Sequence, residues 1–395
     1  MRFHLAEIVA DHSTAQPSQV WQESIRLSTE HELATLGYTD LVSVDPSLSA
    51  ARYADQRQTT KAYLLAVAGA DPGGRRGPYG HRGVPSRGEA PITTGSLLGR
   101  VQVEVDRGEN NHLGQLGMVL VSESHRRQGV GTALLRAAEH LAQGLGATTM
   151  LVWGSAARTA PDESTDAITD PSGQVRLRAN DPGVRFALQH GYALAQAERH
   201  SVQPLPVPPE VLLPALDPSR AQAAGYEVVS YRGATPEPYL DSVARLYEAM
   251  STDPPLGDVD FRPETYDADR IRTEEEQMLR GQDIFTTAAR HVASGALVAF
   301  TQLLAPHSHP EAVYQENTVV LKGHRGHGLG MLIKATNCDL VYRERPTSRR
   351  VHTWNADENE HMLAINTTLG YRLEEIIATW QRLTARAPLG LAAPL

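Results

Sequence analysis

HRRQGVGTALL (residues 125–135) and HRGHGLGMLIK (residues 324–334) are two versions of one phrase, 199 positions apart. Each runs His-Arg, a gap, Gly-x-Gly, then an apolar stretch. Arg126, Gly129 and Gly131 coincide with Arg325, Gly328 and Gly330 at that one offset, and each phrase is followed by a helical pattern and later by a Gly-Tyr pair, at 191–192 and at 370–371. Such internal self-similarity reads as a duplicated domain. Gly129 to Gly191 spans 62 positions and Gly328 to Gly370 spans 42, so the first copy is longer. The excess reads as the polar insertion ARTAPDESTDAITDPSGQ (157–174).

Outward from the two phrases, strands and helices alternate. Strands are expected at 62–69, 96–105, 116–121 and 148–154 in the first half, and at 283–291, 296–304, 317–321 and 349–355 in the second. Helices are expected at 131–145, 242–250, 273–281, 330–343 and 357–370, the last with a glycine stop. Each half then closes as strand, glycine turn, helix, strand, helix, strand. That is an α/β layered architecture on a mixed sheet, with antiparallel hairpins at its front.

The expected division is residues 1–203, a linker at 204–218, and residues 219–395. Prolines at 204, 206, 208, 209, 214 and 218 supply no backbone donor, so the linker is expected to be extended. The stretch 69–91 lacks apolar periodicity and reads as a mobile loop between two strands.

The chain has 395 residues, enough for two domains with full cores. Its formal charge of −9 argues against nucleic acid or an anionic membrane as partner. The sole cysteine, Cys338, rules out an internal disulfide and fits a reducing cytoplasm. The first residues have no signal-peptide core, and no run of about 18 apolar residues suggests a membrane span. Asn366-Thr367-Thr368 matches a glycosylation pattern, read as coincidence.

A strand that ends in Gly-x-Gly at the mouth of a helix presents free N–H groups and the positive end of a helix dipole. That combination suits a phosphate. Glycine also lets a ligand approach the main chain with no Cβ in the way. A Walker loop needs Gly-Lys-Ser/Thr, which neither copy has, and a dinucleotide fingerprint needs a third glycine where Leu134 and Ile333 stand.

Residues 119–135, VLVSESHRRQGVGTALL, and residues 318–334, TVVLKGHRGHGLGMLIK, together with the helix, strand and Leu-Gly-Tyr after them, resemble the GNAT N-acetyltransferase family, in the tandem arrangement of actinobacterial members. The family's frequent loop proline is Glu123 in one copy and Lys322 in the other. The resemblance implies two acyl-CoA N-acyltransferase domains whose central strands splay around the pantetheine arm of acetyl-CoA, with no metal. It assigns the pyrophosphate to Arg126, Arg127, Gln128, Gly129, Val130, Gly131 and Thr132 in the first half. In the second half it assigns it to Arg325, Gly326, His327, Gly328, Leu329 and Gly330. Val119 and Val121, and Val319 and Val320, would bond the pantetheine as a substitute strand; Asn355 and Asn359 would add polar contacts. The implied acceptor is an amine of a small molecule or a peptide, and the chain a monomer or homodimer.

Acetyl transfer to an amine needs a base and a polarised carbonyl, but no enzyme nucleophile, so Cys338 reads as core filler. Glu316, just before the strand of the second phrase, is the first candidate base; His307 and His309 stand nearby, and Glu104 and His112 are the options in the first half. Many family members place an acidic tyrosine four residues before the closing Gly-aromatic pair. Those positions are Ala187 and Asn366 here, while Tyr192 and Tyr371 come directly after the glycine and are expected in the core. Asn366 can hydrogen-bond but cannot act as an acid. The second half, with Asn355 and Asn359, reads as the working site. The competing reading is a non-catalytic acyl-CoA sensor or scaffold of duplicated fold.

Overall fold

A computed structural model describes residues 2–41, 45–89, 95–157 and 166–384. In the first half these form β1 (Phe3–Val9), α1 (Gln19–Leu36), α2 (Pro46–Ala54), β2 (Thr59–Ala68), β3 (Arg82–Pro85), β4 (Leu97–Asp106), β5 (Leu113–Leu116), β6 (Leu120–Val121), α3 (Val130–Gly144) and β7 (Thr149–Ala157). A short hairpin, β8 (Ala167–Thr169) and β9 (Arg176–Arg178), precedes α4 (Pro182–Gln189) and β10 (Ala193–Pro204). Helix α5 (Pro209–Gln222) leads into the second half: β11 (Tyr226–Arg232), α6 (Leu240–Met250), α7 (Ala268–Leu279), β12 (Gln282–His291), β13 (Leu297–Pro306), β14 (Ala312–Val320), α8 (Leu329–Glu344), β15 (Arg350–Ala356), α9 (Glu360–Thr368) and β16 (Arg372–Leu383).

All strands but the β8–β9 hairpin join one mixed sheet, in the order β11-β12-β13-β14-β15-β10-β16-β7-β5-β4-β2-β1-β3, with β6 against β4. The order shows an exchange. Each half sends its last strand to the other: β10 lies antiparallel to β15, and β16 antiparallel to β7. The two exchanged strands then pair with each other at the centre. Ile376, Ala378 and Trp380 of β16 therefore pack in the core of the first half, with Leu134, Leu135 and Met150. The reason is the edge: β7 and β15 would otherwise end in unpaired backbone groups, and the crossing strands cover both.

Two expectations about connections are corrected. The stretch 204–218 is not an extended linker, because helix α5 begins at Pro209. Proline is compatible with a first helical turn, and Pro214 and Pro218 inside the helix are tolerated because Ala215 and Leu216 are buried in the core of the second half. The loop 69–91 carries strand β3, parallel to β1. Arg87 fastens its end to the carbonyls of Ala15 and Ser47, each at 2.8 Å. Of the insertion 157–174, residues 158–165 lie outside the described residues.

Candidate functional site

In each half two parallel strands run together and then part. β5 and β7 pair as far as Leu116 opposite Val152; β14 and β15 pair as far as Tyr314 opposite His352. Beyond those points the ladder stops and a cleft opens. On the other side of β14 the register against β13 slips by one residue between Gln315 and Thr318. Such a bulge re-aims side chains and is common beside active sites. Glu316 sits in it. Its side chain opens into a cavity, yet protein atoms crowd it, and this desolvation raises its carboxyl above the usual carboxylate range. Under the 199-residue repeat the corresponding residue of the first half is Gly117, which carries no side chain.

The two glycine phrases fold alike. A 3-10 turn, Glu123–His125 or Lys322–His324, brings the chain to a left-handed glycine, Gly129 at φ 84° or Gly328 at φ 67°, and the helix starts there with no side-chain cap. The first-turn N–H groups of such a helix have no partner within it, so both mouths are built for an anion. A second left-handed position is Gly326 in one copy and Arg127, at φ 61°, in the other. The arginines of the two phrases also have a structural contact. Arg126 Nε donates to the Val121 carbonyl at 3.2 Å and Arg325 Nε to Val320 at 3.1 Å, so each braces the turn onto the strand before it. Arg325 also pairs with Asp253 at 2.6 Å, as Lys322 does at 3.2 Å.

The clefts differ in room. A cavity of about 700 Å³ runs along the second phrase, bounded by Thr318–Val320, by Arg325, Gly326, Gly328, Leu329 and Gly330, and by Asn359 on α9. In the first half the space beside Val119 is about 90 Å³, closed in by Trp153, Phe186 and Trp380. The Phe186 ring stands 3.4 Å from where a Cβ on Gly131 would lie. Thr132 is held by His190 at 3.1 Å. A further cavity of about 850 Å³, between β1 and α2, holds neither glycine phrase.

Of the other candidate residues, Asn359 caps α9, accepting from the Met362 N–H at 3.3 Å. Asn355 and Asn366 bond each other at 2.7 Å, Asn366 being 2% exposed, and neither borders the large cavity. Cys338 is buried, donating to Gln203 at 3.3 Å, and burial pushes its thiol up to about 11. Tyr192 and Tyr371 are buried, as the sequence suggests. His112 stands at the start of β5, away from the cleft, against Asp260. Glu104 bonds Gln102 on the same strand. His307 is exposed and faces Asp283 at 3.3 Å; the His309 ring meets the Ser308 carbonyl at 2.7 Å.

Sequence reasoning passed over Lys334, which is fully buried and donates to Gln315 Oε1 at 3.1 Å. Gln315 in turn donates to the carbonyls of Gln302 and Asn317, at 2.7 and 3.2 Å, so the pair fastens the bulge on both sides of Glu316. The available signal was a lysine inside the apolar run MLIK. Also unseen was a buried chain of Asp40, His352, His200 and Glu375 at the exchanged strands. His352 and Arg350 hold the Asp40 carboxyl well below the usual range, although burial alone would raise it.

The fold is duplicated, each half with parting strands and an uncapped glycine mouth, and the cleft of the second half is the roomier of the two described. Residues 87–162 match the acetyltransferase (GNAT) family. Among solved structures, a tandem GNAT protein from the clavulanic acid biosynthesis pathway is similar over 98% of this chain and 100% of its own, at 21% identity and TM-score 0.63. A GCN5-related N-acetyltransferase from Sphaerobacter thermophilus is similar over 96% of this chain and 95% of its own, at 15% identity and TM-score 0.57. No curated protein matches the chain. The chain thus has the fold of tandem GNAT proteins, and part of its first half matches the acetyltransferase (GNAT) family. Among the described residues no helix is long and apolar enough to cross a membrane.

Proposed function

We propose that the protein transfers an acetyl group from acetyl-CoA to a primary amine of a small molecule or peptide, in the cleft of the second half, with Glu316 as the base. The observation that carries this is position. Glu316 lies in the bulge two residues before Thr318, where the edge that borders the 700 Å³ cavity begins. Its first-half counterpart has no side chain, and the space beside Val119 there is about 90 Å³.

The residues divide the work. The N–H groups at the mouth of α8, from Gly326 to Gly330, receive the pyrophosphate. The backbone N–H of Val320 stands where a pantetheine arm would pair with β14 and its thioester carbonyl would be polarised, while Val319 faces β13 in the ladder. The amine gives a proton to Glu316 and attacks the carbonyl carbon; the C–N bond forms and the C–S bond breaks. A free thiol has a pKa near about 8.5, so the thiolate is a competent leaving group without a strong acid. This fits a cleft bordered by His324 and His361 rather than by a tyrosine.

The test is release of free CoA from acetyl-CoA across a panel of amines, by the full chain and by Glu316→Gln. Amine-dependent release that falls in the variant is the expected result. Binding of acetyl-CoA with no release from any amine would instead establish the sensor reading, which the absence of a tyrosine at positions 187 and 366 favours.

A further inference from the structure

The cavity into which Glu316 opens is distinct from the coenzyme cleft. It measures about 460 Å³ and is walled by both halves: Arg52 and Lys61 come from α2 and β2 of the first half, Tyr314 and Glu316 from β14, and Met278 from α7. The second-half site is thus completed by side chains of the first.

Its charges do not cancel. Asp55, the other carboxylate on the wall, is already held by Arg57 at 2.7 Å and by Arg280 at 3.6 Å. Arg280 is also paired with Glu276 at 2.9 Å. Lys61 Nζ donates to two backbone carbonyls, of Arg52 at 3.0 Å and of Asp55 at 3.2 Å. An ammonium has three donors, so one is left over. Among the described residues the half-buried guanidinium of Arg52 has no carboxylate partner, and neither does Lys61. Glu316 has no cation partner. No nitrogen of Arg52 or Lys61 comes within the 4.0 Å of Glu316 that would make an ion pair.

One cavity therefore holds two unneutralised cations and, more than 4.0 Å away, one unneutralised carboxylate. Arg52 and Lys61 are part-buried, and such cations left unpaired cost stability unless something completes them, while Glu316 lies open to the cavity. A neutral amine would complete only one end. A ligand with an amine at one end and an anion at the other completes both, and it sets the amine beside the base.

We infer that the acceptor is a small amine carrying its own anionic group, a carboxylate or phosphate that docks on Arg52 and Lys61 while its amine meets Glu316. This rests on the transferase reading above. Arg52 is then a specificity residue that touches the acceptor far from the reacting atoms. Its interaction is the same in ground and transition states, so its loss is read in KM.

The experiment measures CoA release by the full chain with matched pairs: amino acids beside their amides, and ethanolamine phosphate beside ethanolamine. The anionic member is expected to exceed its neutral partner in kcat/KM by tenfold or more. The carboxylate and phosphate arms show which anion is preferred. Arg52→Gln should raise KM for the anionic member about tenfold, leave kcat and the neutral partner unchanged, and be partly rescued by Arg52→Lys. Equal use of both members, with Arg52→Gln silent in a variant whose melting is unaltered, would overturn the inference and leave the transferase intact. No release from any amine would overturn the transferase reading, and this one with it.

Discussion

His200 Nε2 stands 3.1 Å from His352 Nδ1, both rings fully buried, one on each of two strands that meet only because the halves exchange their ends. Asp40 closes one side at 3.0 Å and Glu375 the other at 3.2 Å. Two imidazoles between two carboxylates make the seam of the molecule a continuous polar chain inside a sheet.

Breaking that chain should weaken the junction. His352→Phe leaves Asp40 and His200 each short of a partner, and the expected loss is about 3 kcal/mol. Thermal unfolding of the variant against the parent chain measures it; an unchanged melting temperature would contradict the role given to the chain. Because α5 packs in the core of the second half, we propose that the halves divide near residue 204 rather than across a linker at 204–218. Produced separately each should be insoluble, because β7 and β15 then present bare edges, and co-production should restore a soluble pair.

Gly330→Val puts a side chain at the mouth of α8, where a Cβ would already lie 3.3 Å from Ile365. Acetyl-CoA affinity should fall tenfold or more. Gly131→Val in the first half should leave binding unchanged. Calorimetric titration of the parent should find one equivalent of acetyl-CoA; two equivalents, or a loss caused by the Gly131 variant, would move coenzyme into the first cleft.

Glu316→Gln should lower the rate by about 100- to 1000-fold, the usual worth of a positioned base. The base acts when ionised, and burial holds its pKa above the usual value. The parent rate should therefore climb with pH through that raised value and then level. The variant should lack this acid limb, which a pH profile of kcat/KM resolves.

Lys334 offers a test by stability. Burial pushes its pKa from 10.5 down to about 8. Between pH 8 and 10.5 the unfolded chain binds the proton more readily than the folded one, so stability rises with pH across that window. Below pH 8 the buried charge carries its full cost, about 3 kcal/mol for a shift of that size. Lys334→Met should accordingly stabilise the protein at pH 7 and lose its advantage by pH 10, read from denaturant midpoints at the two values. Its activity should fall, because Gln315 would lose the contact that fastens the bulge.

The glycine phrases, their helices and the strands around them were legible in the sequence, because each is written in local chemistry: apolar period, glycine where φ is positive, a repeat that checks itself. Helix 131–145 was expected and Val130–Gly144 is found; strand 296–304 was expected and Leu297–Pro306 is found. Glu316 was marked by its neighbours along the chain. The sequence did not reveal that β10 and β16 change places, that α5 forms across its prolines, or that Arg52 and Glu316 face one cavity. Those features join residues far apart in the chain, Arg52 and Glu316 among them. They depend on which sheet edges remain open once each half has folded, and a local pattern does not carry that quantity. The duplication and its glycine turns belong to the sequence; the room in each cleft, and the charges around Glu316, were decided by packing.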